Sequence, residues 1–269
     1  MTRKLLTIFT LLFCLASLNA QKSVKGHNIR VKLDNYPEKD LILGFYYGDK
    51  QFVKDTVSAD ADGYFSFKAD TLLPCGVYLF VLKPDNSFIQ LLVPDGDQQF
   101  SMTTDAKDPV GKMKVKDSED NTLFYDYMQM LNQLRPEADT LRAKIARTKI
   151  AADSIKMTRQ IEDMDKKVKK YQNDLIAKHP QSWTAKIIKA SFEPEPPTFS
   201  GGTEMENNKR KYYWYKAHFF DNIDITDPCM LRGPLMHAKI EQYVTKLTPQ
   251  HPDSICQSID LIIGKLAST

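Results

Sequence analysis

The residues of this chain best suited to chemistry are its cysteines. The chain has four cysteines, of which Cys14 lies in the N-terminal apolar segment. The three that lie beyond residue 20 are Cys75, Cys229 and Cys256. These three lie far apart in sequence, which excludes a C-x-x-C redox pair and a zinc-binding thiolate cluster. An odd number leaves at least one thiol free or paired with another chain. We interpret all three as possible free thiols, with a Cys229 to Cys256 disulfide as the alternative.

A second candidate site is the basic and aromatic segment 209–216, which has the sequence KRKYYWYK. Basic and stacking side chains together are typical of single-strand nucleic-acid binding. On a helix, however, Tyr212, Tyr215 and Phe219 share one face, which favours packing within the protein. The alternative is that these three aromatic residues line a surface for a partner or a ligand.

The remaining chemical patterns are incomplete. Asp60, Asp62 and Gly63 resemble the start of a calcium loop, but the later ligands are missing, so a tight turn is expected. No two histidines stand three or four residues apart, and no G-x-S-x-G nucleophile elbow is present. Glu193 and Glu195 lie in a proline-rich loop, where water is expected to keep their acidity ordinary. We therefore predict no catalytic, cofactor-binding or metal-binding residues, which favours a non-enzymatic protein.

The N-terminal segment predicts export. Arg3 and Lys4 precede an apolar run over 5–18, and the small residue Ala20 follows, which is the pattern of a secretory signal peptide. The run is shorter than the roughly 20 residues that cross a bilayer. Phe13, directly before Cys14, does not suit a lipoprotein signal. We expect cleavage near Ala20, a location in the periplasm or cell envelope, and no transmembrane segment after cleavage.

Composition limits the class of protein. The chain has 269 residues, of which 42% are hydrophobic and 26% charged, with 11 Gly and 14 Pro. These values are typical of folded soluble proteins and exclude disordered, collagen-like and disulfide-dense chains. The net charge of +3 gives no support for a nucleic-acid partner. The length predicts about two domains.

Hydrophobic periodicity predicts an α+β protein with an N-terminal antiparallel β-sandwich. Short β-type runs alternate with turn residues rich in Asp, Gly, Pro and Asn, the pattern of a sandwich or barrel. Seven strands are expected, at 29–33, 41–47, 52–57, 64–67, 77–82, 88–93 and 98–104. We assign residues 21–105 to the sandwich domain and 106–118, with Pro109 and Gly111, to a linker.

An all-helical domain is predicted over 119–269. Apolar spacing of three and four residues predicts a helix over 119–134, and Pro136 is well placed to begin the next. Residues 136–178 fit either one long helix or a helical hairpin that breaks near Asp153 and Ser154, and we favour intramolecular packing over a coiled-coil dimer. Shorter helices are expected over 183–192, 207–220 and 235–247, with a last one from Asp253. Because that helix is followed by no further element, the helical domain is expected to be truncated.

Several of these segments resemble a known arrangement. The segments Asp55-Thr56-Val57, Asp62 to Phe67, Gly76-Val77-Tyr78 and Pro94 to Asp97 are similar to the N-terminal β-sandwich domain of unknown function of exported thioredoxin-like proteins of Gram-negative bacteria. Segments 118–121, 219–228, 231–232 and 248–254 resemble the helical domain that joins that sandwich to a redox domain. The resemblance implies a thiol-disulfide oxidoreductase of the TlpA/AhpC type. Its W-C-x-x-C turn is absent here, so no catalytic residue is carried over.

Two functional hypotheses follow. The first is a non-catalytic envelope protein that acts as a binding or scaffolding module for another envelope protein or a small ligand. The second is the front fragment of an oxidoreductase whose catalytic domain is missing from this chain. A mixed disulfide between Cys75 or Cys229 and a redox partner is a third possibility. The sequence does not determine the oligomeric state.

Overall fold

The N-terminal half folds into two four-stranded sheets. A computed structural model describes residues 26–267, so the predicted signal peptide over residues 1–20 lies outside the described residues. The strands are β1 (His27–Asp34), β2 (Asp40–Tyr47), β3 (Lys50–Ser58), β4 (Tyr64–Ala69), β5 (Gly76–Leu82), β6 (Ser87–Val93), β7 (Gln98–Asp105) and β8 (Lys114–Lys116). All seven predicted strands are present. The additional β8 lies inside the segment 106–118 that was expected to be a linker.

The two sheets contain different strands, and within each sheet the strands do not follow the chain order. The first sheet has the order β4-β1-β7-β8 and the second has the order β3-β2-β5-β6. Strands β1 and β7 are parallel, with His27 opposite Gln98, while the other pairs are antiparallel. The alternating pattern of β1 places Ile29, Val31 and Leu33 in the core between the sheets. The protein is therefore α+β, as predicted, with an antiparallel-rich sandwich at its N-terminal side.

Six α-helices follow among the described residues. They are α1 (Glu119–Arg147), α2 (Ala151–Lys178), α3 (Trp183–Ala190), α4 (Glu204–His218), α5 (Pro234–Thr245) and α6 (Pro252–Ala267), with a 3-10 turn η1 (Met230–Arg232) before α5. Helices α1 and α2 form an antiparallel hairpin, since Tyr127 of α1 stacks on Tyr171 of α2 and Ala138 packs near Met164.

The position of the hairpin turn differs from the prediction. Pro136 does not begin a helix but lies inside α1, and the break falls at Thr148 to Ile150 rather than near Asp153 and Ser154. An internal proline removes a helical hydrogen bond and commonly kinks or breaks a helix. Here Ala138 and Leu141 continue the apolar face of α1 past the proline and pack on α2. That tertiary packing accounts for the continuous helix.

The helices cover the second sheet on the side away from the first. Leu92 and Val77 of this sheet pack with Trp183 of α3, with Phe220 in the turn after α4 and with other residues of the helical region in a second apolar core. Asn121, fully buried near the start of α1, accepts a hydrogen bond from Leu92 N at 2.8 Å and donates one to Leu92 O at 2.7 Å. Its amide thus replaces a neighbouring strand at the β6 edge, and Tyr125 Oη donates to Gln90 O at 2.6 Å. The second sheet is therefore a middle layer between the first sheet and the helices.

Candidate functional site

A disulfide joins the sandwich to the helical region. Cys75, directly before β5, is bonded to Cys229, directly before η1, with 4.9 Å between their Cα atoms. Both cysteines are 7% exposed and belong to the second apolar core. The expectation that Cys75 and Cys229 are free thiols is therefore wrong, as is the alternative Cys229 to Cys256 bridge. Cys256 is free and exposed on α6, in agreement with the prediction.

The chain approaches itself closely beside this disulfide. A side chain at Gly76 would place its Cβ 2.4 Å from Arg232 Cβ, so only glycine fits there. Gly48, in the β2–β3 turn, donates its N–H to Leu231 O at 3.2 Å. Tyr78 lies in the sandwich core close to this region, and burial raises its pKa to about 12. The sandwich and the η1 segment thus meet through a covalent bond, a main-chain hydrogen bond and tight packing.

The three aromatic residues for which packing was favoured and a partner surface was the alternative have different environments. Phe219 is fully buried and packs on Phe220 and Tyr243, which confirms the favoured interpretation for this residue and makes the alternative surface role wrong. The spacing correctly predicts that the three residues share one face of α4. Tyr243 of α5 covers the end of that face at Phe219. Tyr212 is exposed and its hydroxyl donates to Leu247 O at 2.7 Å. Tyr215 is half-buried and its hydroxyl donates to the carboxylate of Glu193.

Glu193, the hydrogen-bond partner of Tyr215, lines a cleft that the sequence did not predict. The cleft has a volume of about 700 Å³ and lies between the proline loop 191–195, the middle of α2 and the C-terminal part of α4. Its polar and aromatic lining includes Asp165, Lys169, Glu193, Glu195, Trp214 and Asp221. Pockets of this size are typical of small-molecule sites.

The proline loop is anchored from behind by Glu193. One carboxylate oxygen accepts the Tyr215 hydrogen bond, and the other lies 3.5 Å from Lys239 Nζ. Lys239 is only 4% exposed, and its ammonium lies 4.8 Å from the centre of the Phe219 ring. Burial and the bond to Glu193 raise the pKa of Tyr215 to about 12, so its hydroxyl stays a donor at neutral pH. A buried lysine needs such partners because an unpaired buried charge is costly.

The cleft wall combines an aromatic ring with excess negative charge. Trp214 stacks on His218 with 4.0 Å between ring centres, and His218 Nδ1 lies 2.5 Å from Asp221 Oδ2. Lys169 Nζ is 2.8 Å from Glu195 Oε1 and lowers the pKa of that carboxyl. The lining contains four carboxylates and one ammonium, so its formal charge is −3. Carboxylates beside an indole ring attract cations.

The structure bears on metal binding and on the Asp60 to Gly63 segment. Within residues 26–267, no three His, Cys, Asp or Glu side chains are arranged to hold a metal ion. The Asp60 to Gly63 segment is a tight turn, as predicted: Asp60 Oδ1 accepts hydrogen bonds from the N–H groups of Asp62 and Tyr64. These bonds lower the pKa of Asp60 and use the carboxylate within the turn.

Sequence reasoning therefore missed the residues that form the cleft. The sequence places Glu193 and Glu195 in a solvated loop, includes Trp214 only as one member of segment 209–216, and gives no signal for Asp221. The stiff Glu-Pro-Glu-Pro-Pro segment was the available signal, since it predicts a fixed loop. Its partner Lys239 is 46 residues from Glu193 along the chain, and no local pattern connects them.

A comparison with protein families finds a match over the sandwich. Residues 27–124 match the model of a family described as a domain of unknown function, DUF4369. The match covers all eight strands and the first residues of α1, including Asn121. No curated protein and no solved structure matches the chain. Among residues 26–267, no helix is both long enough and apolar enough to cross a membrane.

Proposed function

We propose that the protein is an exported, non-catalytic binding module of the cell envelope whose acidic cleft binds a small cationic ligand. The observation that carries this proposal is the cleft itself: a concave site of about 700 Å³ with an indole ring and a formal charge of −3. Electrostatic complementarity favours an amine or guanidinium group near Trp214, with the carboxylates around it.

The support for export is the disulfide together with the N-terminal segment. Disulfides persist in secreted and periplasmic proteins and are rare in the bacterial cytosol. The Cys75–Cys229 bond holds the sandwich against the η1 segment, and the Glu193 contacts fix the loop that borders the cleft. A cleft that is already formed loses less entropy when it binds a ligand.

Titration with a polyamine tests ligand binding. The chain has two tryptophans, and Trp183 is buried in the second apolar core, so spermidine should change the fluorescence of Trp214. The variant Asp165→Asn/Glu195→Gln should bind up to about 30-fold more weakly, because it removes two carboxylates and each exposed ion pair is worth up to about 1 kcal/mol. Asp153→Asn/Asp260→Asn removes equal charge away from the cleft and serves as the matched control. Absence of saturable binding, or equal weakening in both variants, would refute the cleft as the site.

Fractionation tests the proposed export, and an enzyme assay tests the proposed non-catalytic role. When the full chain is expressed in a Gram-negative host, osmotic shock should release a product that begins at Gln21 and contains the disulfide. A cytosolic product with an intact N-terminus would contradict export. Reduction of insulin by the purified protein at rates above those of free dithiol would contradict a non-catalytic role.

A further inference from the structure

The tip of the α1–α2 hairpin carries a concentrated positive charge. Residues 140–160 contain six basic side chains and one acidic side chain, Asp153, which gives a net charge of +5. The basic residues are Arg142, Lys144, Arg147, Lys149, Lys156 and Arg159, and all are exposed. The whole chain has a net charge of only +3, so the tip is more positive than the entire protein. This local charge is the opposite of that in the cleft.

These charges are largely unpaired. Arg142 Nη1 lies 3.2 Å from Asp139 Oδ1, one helical turn away. The other five basic side chains form no ion pair with any part of the described chain. Uncompensated surface charge of one sign attracts partners of the opposite sign.

The same tip exposes aliphatic side chains. Ile150, in the turn, is 60% exposed, and Ile155, in the first helical turns of α2, is 54% exposed. Their apolar neighbours Leu141, Met157 and Ile161 pack inside the hairpin around Met164. The tip therefore has its own small core, and the two isoleucines are not needed to complete it.

The hydrogen bonds that hold the hairpin to the rest of the described fold lie towards its base, away from the tip. The last side chain of α1 that hydrogen-bonds to the segment before β8 is Gln129, which donates to Val110 O and Met113 O. From Gln129 to Arg147 the helix rises by about 27 Å, at 1.5 Å per residue. Because its basic and aliphatic side chains are exposed, this end of the hairpin is accessible to an extended surface.

We propose that this tip docks on the surface of an anionic lipid bilayer. Lysine and arginine side chains would pair with headgroup phosphates, while Ile150 and Ile155 would enter the boundary between headgroups and acyl chains. Exposed aliphatic residues surrounded by basic ones are typical of interfacial membrane binding. A nucleic acid fits less well, because residues 140–160 contain no aromatic side chain on which a base could stack. This proposal concerns a different surface from the cleft and does not depend on it.

Vesicle co-sedimentation of the mature full-length protein tests the proposal. Binding is expected to vesicles of phosphatidylglycerol and phosphatidylcholine at low salt, to weaken as salt is added, and to be absent with phosphatidylcholine alone. Arg147→Gln/Lys149→Gln/Lys156→Gln should weaken binding about 100-fold, since each basic side chain near an anionic membrane contributes about fivefold. Lys209→Gln/Lys211→Gln/Lys246→Gln removes equal charge from exposed positions elsewhere and should change binding by less than about fivefold.

A second variant separates membrane docking from general polyanion binding. Ile150→Ser/Ile155→Ser keeps every charge and should weaken vesicle binding about tenfold, because apolar area is no longer buried. Its binding to polyglutamate or an oligonucleotide should match that of the unmodified protein, and circular dichroism should show unchanged helix content. The proposal is overturned by failure to bind anionic vesicles, by equal losses in the two lysine-containing triple variants, or by an unchanged affinity for vesicles after the isoleucine substitutions.

Discussion

Removing the Cys75–Cys229 disulfide should strongly destabilise the fold. The bond closes a loop over a sequence separation of 154 residues. In the chain-entropy model, a loop of this length restricts the unfolded chain enough to raise the free energy of unfolding by about 5 kcal/mol. Structure that persists in the unfolded chain reduces this value, so we expect the double variant Cys75→Ala/Cys229→Ala to lose about 2–5 kcal/mol.

Urea denaturation followed by circular dichroism measures this loss. Cys256→Ala is the matched control, because Cys256 is exposed and unbonded, and it should change stability by less than about 0.5 kcal/mol. Intact mass before and after reduction verifies the bond in the unmodified protein. Among residues 26–267, iodoacetamide should label Cys256 alone in the native state. A loss below about 1 kcal/mol in the double variant would show that the disulfide does not restrict the unfolded chain as the loop length implies.

Two further substitutions test contacts of the second sheet, one at its β6 edge and one in the core between the two sheets. Asn121→Ala leaves Leu92 N and Leu92 O without partners inside the protein and should lower the free energy of unfolding by about 2–4 kcal/mol in urea denaturation; exposed Asn132→Ala on the same helix is the control, and equal effects would contradict the edge-capping role. For Tyr78, burial raises the folded pKa to about 12, whereas the unfolded value is about 10. The free energy by which the neutral Tyr78 hydroxyl stabilises the fold is present below pH 10 and is lost between pH 10 and about 12. Tyr78→Phe should therefore flatten the alkaline fall in Tm. An unchanged fall would refute this assignment.

The strands could be predicted because each carries a complete local signal. Ile29, Val31 and Leu33 alternate with charged residues, and Asp60 to Gly63 form a turn through bonds within four residues. Strand β8 has only three residues, so its Lys-Val-Lys alternation is too short to predict a strand. Its pairing with β7 depends on the fold, because Val115 lies opposite Met102.

The functional residues were harder to predict because their partners are distant in sequence. Cys75 and Cys229 come together only after β5 and η1 have packed, and Glu193 meets Lys239 only when α5 lies beside the proline loop. The hairpin turn was misplaced for a similar reason. The local preference of Pro136 for a helix start is outweighed by the packing of Ala138 and Leu141 on α2.

Charge distribution shows why a whole-chain average was misleading. A net charge of +3 was used only to argue against a nucleic-acid partner, yet the hairpin has a tip of +5 and borders a cleft of −3. Helix α2 contributes to both features, with Lys156 and Arg159 at the tip and Asp165 in the cleft wall. At physiological ionic strength the screening length is about 8 Å, which is less than two turns of helix. The two charged regions are therefore screened from each other, and we expect substitutions at one to leave binding at the other unchanged.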